Sequence, residues 1–208
     1  GFYSEVLVAI QLAHRTATLS DVDLARFLSA VEQMAVRLDA DFDVPDVSAL
    51  AEQAKQLGQT CARFDVQLGL TLESMVGPWD GARLSQVMMA HGLVRAQGQP
   101  VRWLCLDAHG RICFSLAPAS LLVDRLALEM DVPLVAMAEH PLKRMFDIAQ
   151  QLATSLQARV VDDHGQIIGE HSFAAIDNQL QLLLEQMRAA GIEPGSARTL
   201  RLYGALGE

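Results

Sequence analysis

An α+β two-layer sandwich, with a mainly antiparallel sheet and helices packed on one of its faces, is the fold this sequence predicts. Three observations carry that expectation. Short apolar runs alternate with period two, as in DVQLGLTLES at residues 65–74. Longer stretches repeat their apolar residues at helical spacing, as in LKRMFDIAQQLATSL at residues 142–156. Tips such as His109-Gly110 and Asp162-Asp163-His164-Gly165 stand between neighbouring runs at hairpin distance, and hairpins pair strands antiparallel.

Taken in order, EVLVAIQLA (residues 5–13) reads as a strand, being alternating and rich in β-branched residues. Ser20 is placed to cap a helix, with Asp21 and Asp23 in its first turn. Leu24, Phe27, Leu28, Val31, Met34, Ala35 and Leu38 form its apolar stripe, and DFDVPD ends it. A second helix carries Leu50, Ala54, Leu57, Cys61 and Phe64 on one face. The strand at 65–74 follows, then GPWDG, then a helix capped by Asp80 and stopped by Gly92. Strand–loop–helix thus occurs at 5–38 and again at 65–91, a weak internal repeat. VRWLCLDAHGRICFSLA (residues 101–117) reads as a hairpin. Residues 118–131 fit either a short helix or a loop. PLVAMAE (133–139) reads as a strand, and Pro141 opens a strongly amphipathic helix. VVDDHGQII, a helix over 172–190 and a last strand, ARTLRLY (197–203), complete the pattern.

Composition narrows the function. The chain has 208 residues, 51% hydrophobic and 20% charged, which suits a globular domain and not a disordered one. A net charge of −9 makes nucleic acid a poor partner, because phosphate binding needs a basic face. Cys61, Cys105 and Cys113 form no C-x-x-C pair and no even set, so a reducing compartment and inert buried thiols are expected. No run reaches the roughly 18 apolar residues of a membrane span. The abrupt opening on GFYSEVLVAI reads as the start of a fragment of a longer protein.

Asp162-Asp163-His164-Gly165 could be a turn, a metal site or an acid/base pair. Asp and Gly favour turns, and glycine supplies positive φ. The remaining histidines are scattered and match no ligand spacing, and hairpin tips are usually solvated, so a turn is the reading adopted. No Gly-rich phosphate loop, G-x-S-x-G or paired Cys/His motif is present. The chain is therefore read as a non-enzyme without cofactors.

LKRMFDIAQQLATSLQARVVDDHGQII resembles the end of the C-terminal domain of the bacterial cell-division protein ZipA, where a helix of the same rhythm leads into a "VVLDD" hairpin and another helix. The Asp80-Gly81 helix start, His91-Gly92-Leu93 and HGRICFSLA fall upstream in the same order, so the resemblance covers roughly residues 65–203. It implies a six-stranded, or slightly larger, antiparallel sheet with helices on one side. The bare face would receive the C-terminal tail peptide of the tubulin-like protein FtsZ, mostly through apolar contacts. The resemblance further implies a monomer at the cytoplasmic face of the inner membrane at the division site, held there through an anchor outside this fragment. Residues 1–64 are expected to be a strand–helix–helix extension packed on the ZipA-like domain of residues 65–208.

Alternation along the expected strands assigns the open face. Gly69, Thr71, Trp103, Cys105, Ser115, Ala117, Ala136, Arg201 and Tyr203 point outward in this scheme, together with Cys113, and are the expected peptide-binding set. Leu104 and Leu106 point inward. Small residues let a guest helix approach the backbone, and Trp, Tyr and Arg are frequent hot-spot types. Trp103 also fits a core position. Arg201 would meet an acidic group of the peptide. Ala117, Ala119 and Ala136 stand near positions where the ZipA family has large apolar side chains, which implies a reshaped pocket. The competing reading, from the βα repeat, is a small-molecule-binding ferredoxin-like regulatory domain.

Overall fold

The computed structural model describes residues 4–43 and 45–204. The opening residues and Val44 of the DFDVPD turn lie outside the described residues. The backbone forms two compact units: one runs to Asp65 and takes in the residues from Arg201 onward, the other spans Val66–Leu200.

In the first unit, β1 (Ala13–His14) and β2 (Ala17–Thr18) form a small antiparallel ladder, followed by α1 (Asp21–Leu38) and α2 (Val47–Arg63). The expected strand over residues 5–13 does not form. Residues 5–12 lie in no strand, although the Leu12 carbonyl accepts from the Leu19 N–H at the end of the β1–β2 ladder, and Val6 and Leu7 are exposed. Alternation alone cannot make a strand whose N–H and C=O groups find no neighbour. The βα repeat therefore has only one βα unit of the expected kind. Ser20 does cap α1: its hydroxyl accepts from the Asp23 backbone N–H while the Asp23 carboxylate accepts from the Ser20 N–H. The Ser20 hydroxyl, donating to the Asp23 carboxylate at 2.6 Å, and the Ser20 N–H together hold the exposed Asp23 carboxyl below its usual range. The Asp46 carboxylate caps α2, accepting from the Ser48 and Ala49 N–H groups. Tyr203 is buried, and its hydroxyl donates to the Cys61 carbonyl at 3.0 Å.

The second unit is built on one six-stranded antiparallel sheet. Its strands are β3 (Gln67–Ser74), β4 (Val94–Arg95), β5 (Trp103–Leu106), β6 (Ile112–Pro118), β7 (Arg125–Asp131) and β8 (Ala158–Val161), in the spatial order β4-β5-β6-β7-β3-β8. The α+β fold class and the antiparallel sheet are as expected. Helices α3 (Gly81–Ala90), α4 (Pro141–Leu156) and α5 (Glu170–Ala189) complete the unit. α4 lies against β3, β6, β7 and β8, with α3 beside α4 and β4. Leu70, Leu72, Leu116, Leu126, Leu128, Met130 and Val160 are buried on the helix-bearing side with Leu142, Met145, Ala149, Leu152 and Leu156 of α4. The Trp79 indole donates to the Leu156 carbonyl at 2.9 Å, satisfying a last-turn carbonyl of α4.

Three further elements differ from expectation. Residues 125–131 form β7, the strand between β6 and β3, because RLALEMD alternates and buries Leu126, Leu128 and Met130. PLVAMAE is not a strand. The ladder ends where the Val132 N–H reaches the Val66 carbonyl; Pro133 has no N–H to continue it, and two 3-10 turns follow at Val132–Leu134 and Met137–Glu139. ARTLRLY is the helix α6 (Ala197–Tyr203): the Ser196 hydroxyl accepts from the Thr199 N–H, and this cap overrides the β-like alternation. Gly195 precedes that cap at φ 71, where an added Cβ would stand 2.6 Å from the Ala136 nitrogen.

The two faces of β7 give a direct check of this packing. Leu128→Ala, in the centre of the helix-covered side, is expected to lower unfolding free energy by about 2–5 kcal/mol. Ala127→Ser, one residue along and on the other side, is expected to change it by less than about 0.5 kcal/mol. Urea unfolding of both variants measures the difference.

Candidate functional site

Helices cover one side of the sheet, and the strand registers fix what the other side presents. Directly paired residues of an antiparallel ladder share a face. One row on the open side is Val94, Leu104, Ser115, Glu129 and Gly69. The next is Ala117, Ala127, Thr71 and Val161, of which Val161, on the β8 edge, is fully buried. A third joins Arg125, Glu73 and Arg159. Leu106 pairs with Ile112 beyond a bulge. The face therefore has three regions. Val94, Leu104, Leu106 and Ile112 make an apolar patch on β4, β5 and β6. Ser115, Ala117, Ala127, Gly69 and Thr71 make a strip of small side chains in the middle. The Arg–Glu–Arg row occupies one end.

The registers bring together four of the expected site residues, Gly69, Thr71, Ser115 and Ala117. They separate the other five. Trp103 and Cys105 pair with Leu116 and Phe114, so they face the helices, and both are buried. The alternation of β5 is thus opposite to the expected one, a one-residue slip that turns Leu104 and Leu106 outward. The Trp103 indole N–H has no hydrogen-bond partner among the described residues, and an orphaned buried donor is costly. Cys113 is the extra residue of the bulge between Leu106↔Ile112 and Cys105↔Phe114; it is also buried, 4.0 Å from an Arg144 nitrogen. Burial pushes the Cys105 thiol up to about 11 and raises Cys113 as well, which keeps both protonated and unreactive.

Ala136 lies away from the sheet. With Phe173, Leu180 and Leu184 it lines a cleft of about 440 Å³ between the 3-10 turns and α5. Arg201 and Tyr203 belong to α6, outside the sheet. Apolar Val94, Leu104, Leu106 and Ile112 were missed, as were Ala127 and Glu129. The residue pairing within the 101–117 hairpin held the signal for Leu104 and Leu106, because Phe114 and Leu116 were correctly expected inside and their partners must share that face.

Glu73 anchors the charged row. Its carboxylate accepts from Arg125 at 2.9 Å and from Arg159 at 2.7 Å. The Arg159 hydrogen bond, aided by the charges of both arginines, holds the Glu73 carboxyl below its usual value against a smaller opposing effect of desolvation. Asp162 to Gly165 form a turn: the Asp162 carboxylate accepts from the His164 and Gln166 N–H groups, and Asp163 and His164 are exposed. No group of three His, Cys, Asp or Glu side chains able to hold a metal occurs among the described residues, nor any helix long and apolar enough to cross a membrane.

The family described as ZipA, C-terminal FtsZ-binding domain, matches residues 67–179, more than half of the chain. The chain belongs to that family. The match begins at the first residue of β3 and takes in β3 to β8, so it covers the whole sheet. A search of curated proteins finds no match. The ZipA domain is a protein-interaction domain of cell division that binds FtsZ, and it is not a known enzyme family.

Because the folded-state pKa of Glu73 is depressed, its ion pairs stabilise fully above the ordinary Glu range and are lost as pH falls through the lowered value. The stability difference between the wild-type protein and Glu73→Gln should therefore be largest near pH 7 and shrink below about pH 4. Thermal unfolding of both proteins across pH 3–7 checks the sign.

Proposed function

We propose that the open face of the sheet docks the C-terminal tail peptide of FtsZ, making the chain an adaptor at the division ring. Membership in the ZipA family supplies the partner. The observation that carries the site is the apolar patch of Val94, Leu104, Leu106 and Ile112 beside a strip of small residues, on a side of the sheet that α3 and α4 leave bare. Val94 and Ile112 are each 51% exposed, which is unusual for aliphatic residues in paired strands and typical of a contact surface. Small side chains at Gly69, Thr71, Ser115, Ala117 and Ala127 let a helical or extended peptide lie close to the backbone. Its apolar side chains then reach sideways onto the leucines. A shallow surface of this kind fits micromolar, transient binding.

In this reading the protein acts as a monomer on the cytoplasmic side of the inner membrane, tethered through a segment outside this sequence.

The test is a fluorescence-anisotropy titration with a labelled peptide copying the last fifteen or so residues of the host's FtsZ, a length typical of helix-in-groove ligands. Saturable binding is expected. Leu104→Arg and Thr71→Arg should each weaken it by about tenfold or more, while Trp103→Phe, on the covered side, leaves affinity within about twofold. Equal binding by Leu104→Arg and the wild-type protein would move the contact off this face.

A further inference from the structure

The charges on the open face are not mixed; they are ordered along β7. Its outward residues run Arg125, Ala127, Glu129, Asp131. At the Arg125 end, one carboxylate, Glu73, is shared by two guanidinium groups, which leaves that row with an excess positive charge. Arg125 and Arg159 remain about half exposed there, at 46% and 48% of their side chains. Two rows away stands Glu129. It is exposed, no hydrogen bond or ion pair engages its side chain among the described residues, and its ladder partners, Ser115 and Gly69, carry no charge. A glutamate on a central strand with small neutral residues on both sides has no structural task within this sheet.

We infer that Glu129 and the Arg125–Arg159 pair fix the direction of the docked peptide, Glu129 receiving a basic side chain and the arginines an acidic one. This rests on the open face being the docking site. The spacing sets the chemistry of the ligand. Four residues of strand separate Arg125 from Glu129, about 13 Å at the usual rise. In a helical segment that distance corresponds to opposite charges about seven to nine residues apart on one side of the helix. In an extended segment it corresponds to about four residues. The apolar patch lies on the other flank, on β4 to β6, so an amphipathic segment seated on the small-residue strip has one flank for each. A peptide entering in the reverse direction would place like charges together at both ends, and that repulsion discriminates against it.

Charge reversal tests the assignment. The probes are the labelled tail peptide of the host's FtsZ and a copy with its acidic residues changed to Lys and its basic residues to Glu. At low salt, Glu129→Lys is expected to weaken the native peptide at least fivefold and to bind the reversed copy more tightly than the wild-type protein does. Arg125→Gln with Arg159→Gln should weaken the native peptide and, by removing the repulsion and freeing the Glu73 carboxylate, improve the reversed one; its thermal unfolding is recorded alongside. If the native peptide binds wild-type protein and Glu129→Lys equally while Leu104→Arg abolishes binding, the docking face stands and the directional role of Glu129 is wrong. If wild-type protein binds neither peptide, the docking reading and this inference both fall.

Discussion

Period-two alternation in β3, β6 and β7 is the constraint on which the rest of the second unit depends. Leu70, Leu72, Leu116, Leu126, Leu128 and Met130 all turn to one side, and α4 buries that side. Every residue between them must then turn to the other side. The same alternation that builds the core therefore builds the open face, and neither can shift by one residue without destroying the other. Antiparallel pairing permits this, because such a sheet can leave one face uncovered.

What the open face presents follows from that arrangement. A bare sheet face is costly when it is apolar and useless when it is uniformly charged. This one is graded instead, from Val94 and Leu104 on β4 and β5, through the alanines, serine, threonine and glycine of β6, β7 and β3, to the paired arginines at one end. The gradation suits a linear, amphipathic partner better than a small molecule, for which a concave site is the usual solution. The cleft beside α5 is a concave alternative within the second unit, and it is lined by both acidic and basic groups, Asp177, Glu193, Lys143 and Arg188 among them.

Much of this was legible in the sequence. The caps at Ser20 and Asp80, the amphipathic α4 and the DDHG turn each rest on local chemistry, and local chemistry is what a sequence states directly. The outward facing of Gly69, Thr71, Ser115 and Ala117 was readable for the same reason. Elements decided by a distant partner were not. The run at 5–12 alternates but lacks a strand beside it. PLVAMAE has strand composition, yet Pro133 stops the ladder. ARTLRLY alternates, yet the Ser196 cap makes it a helix. β5 is the instructive error: four residues, all apolar, carry no signal for which alternate set is inside, and only the register to Phe114 and Leu116 decides it. That one slip moved Trp103 and Cys105 onto the candidate surface and kept Leu104 and Leu106 off it.

Backbone amide mapping during titration with the FtsZ tail peptide tests the central claim most directly. Chemical-shift changes are expected to concentrate at Gly69, Thr71, Leu104, Ser115, Ala117 and Ala127, alternating along each strand with smaller changes at the buried residues between. Changes concentrated instead at Ala136, Phe173, Leu180 and Leu184 would put the peptide in the cleft beside α5 and contradict the open sheet face as its site.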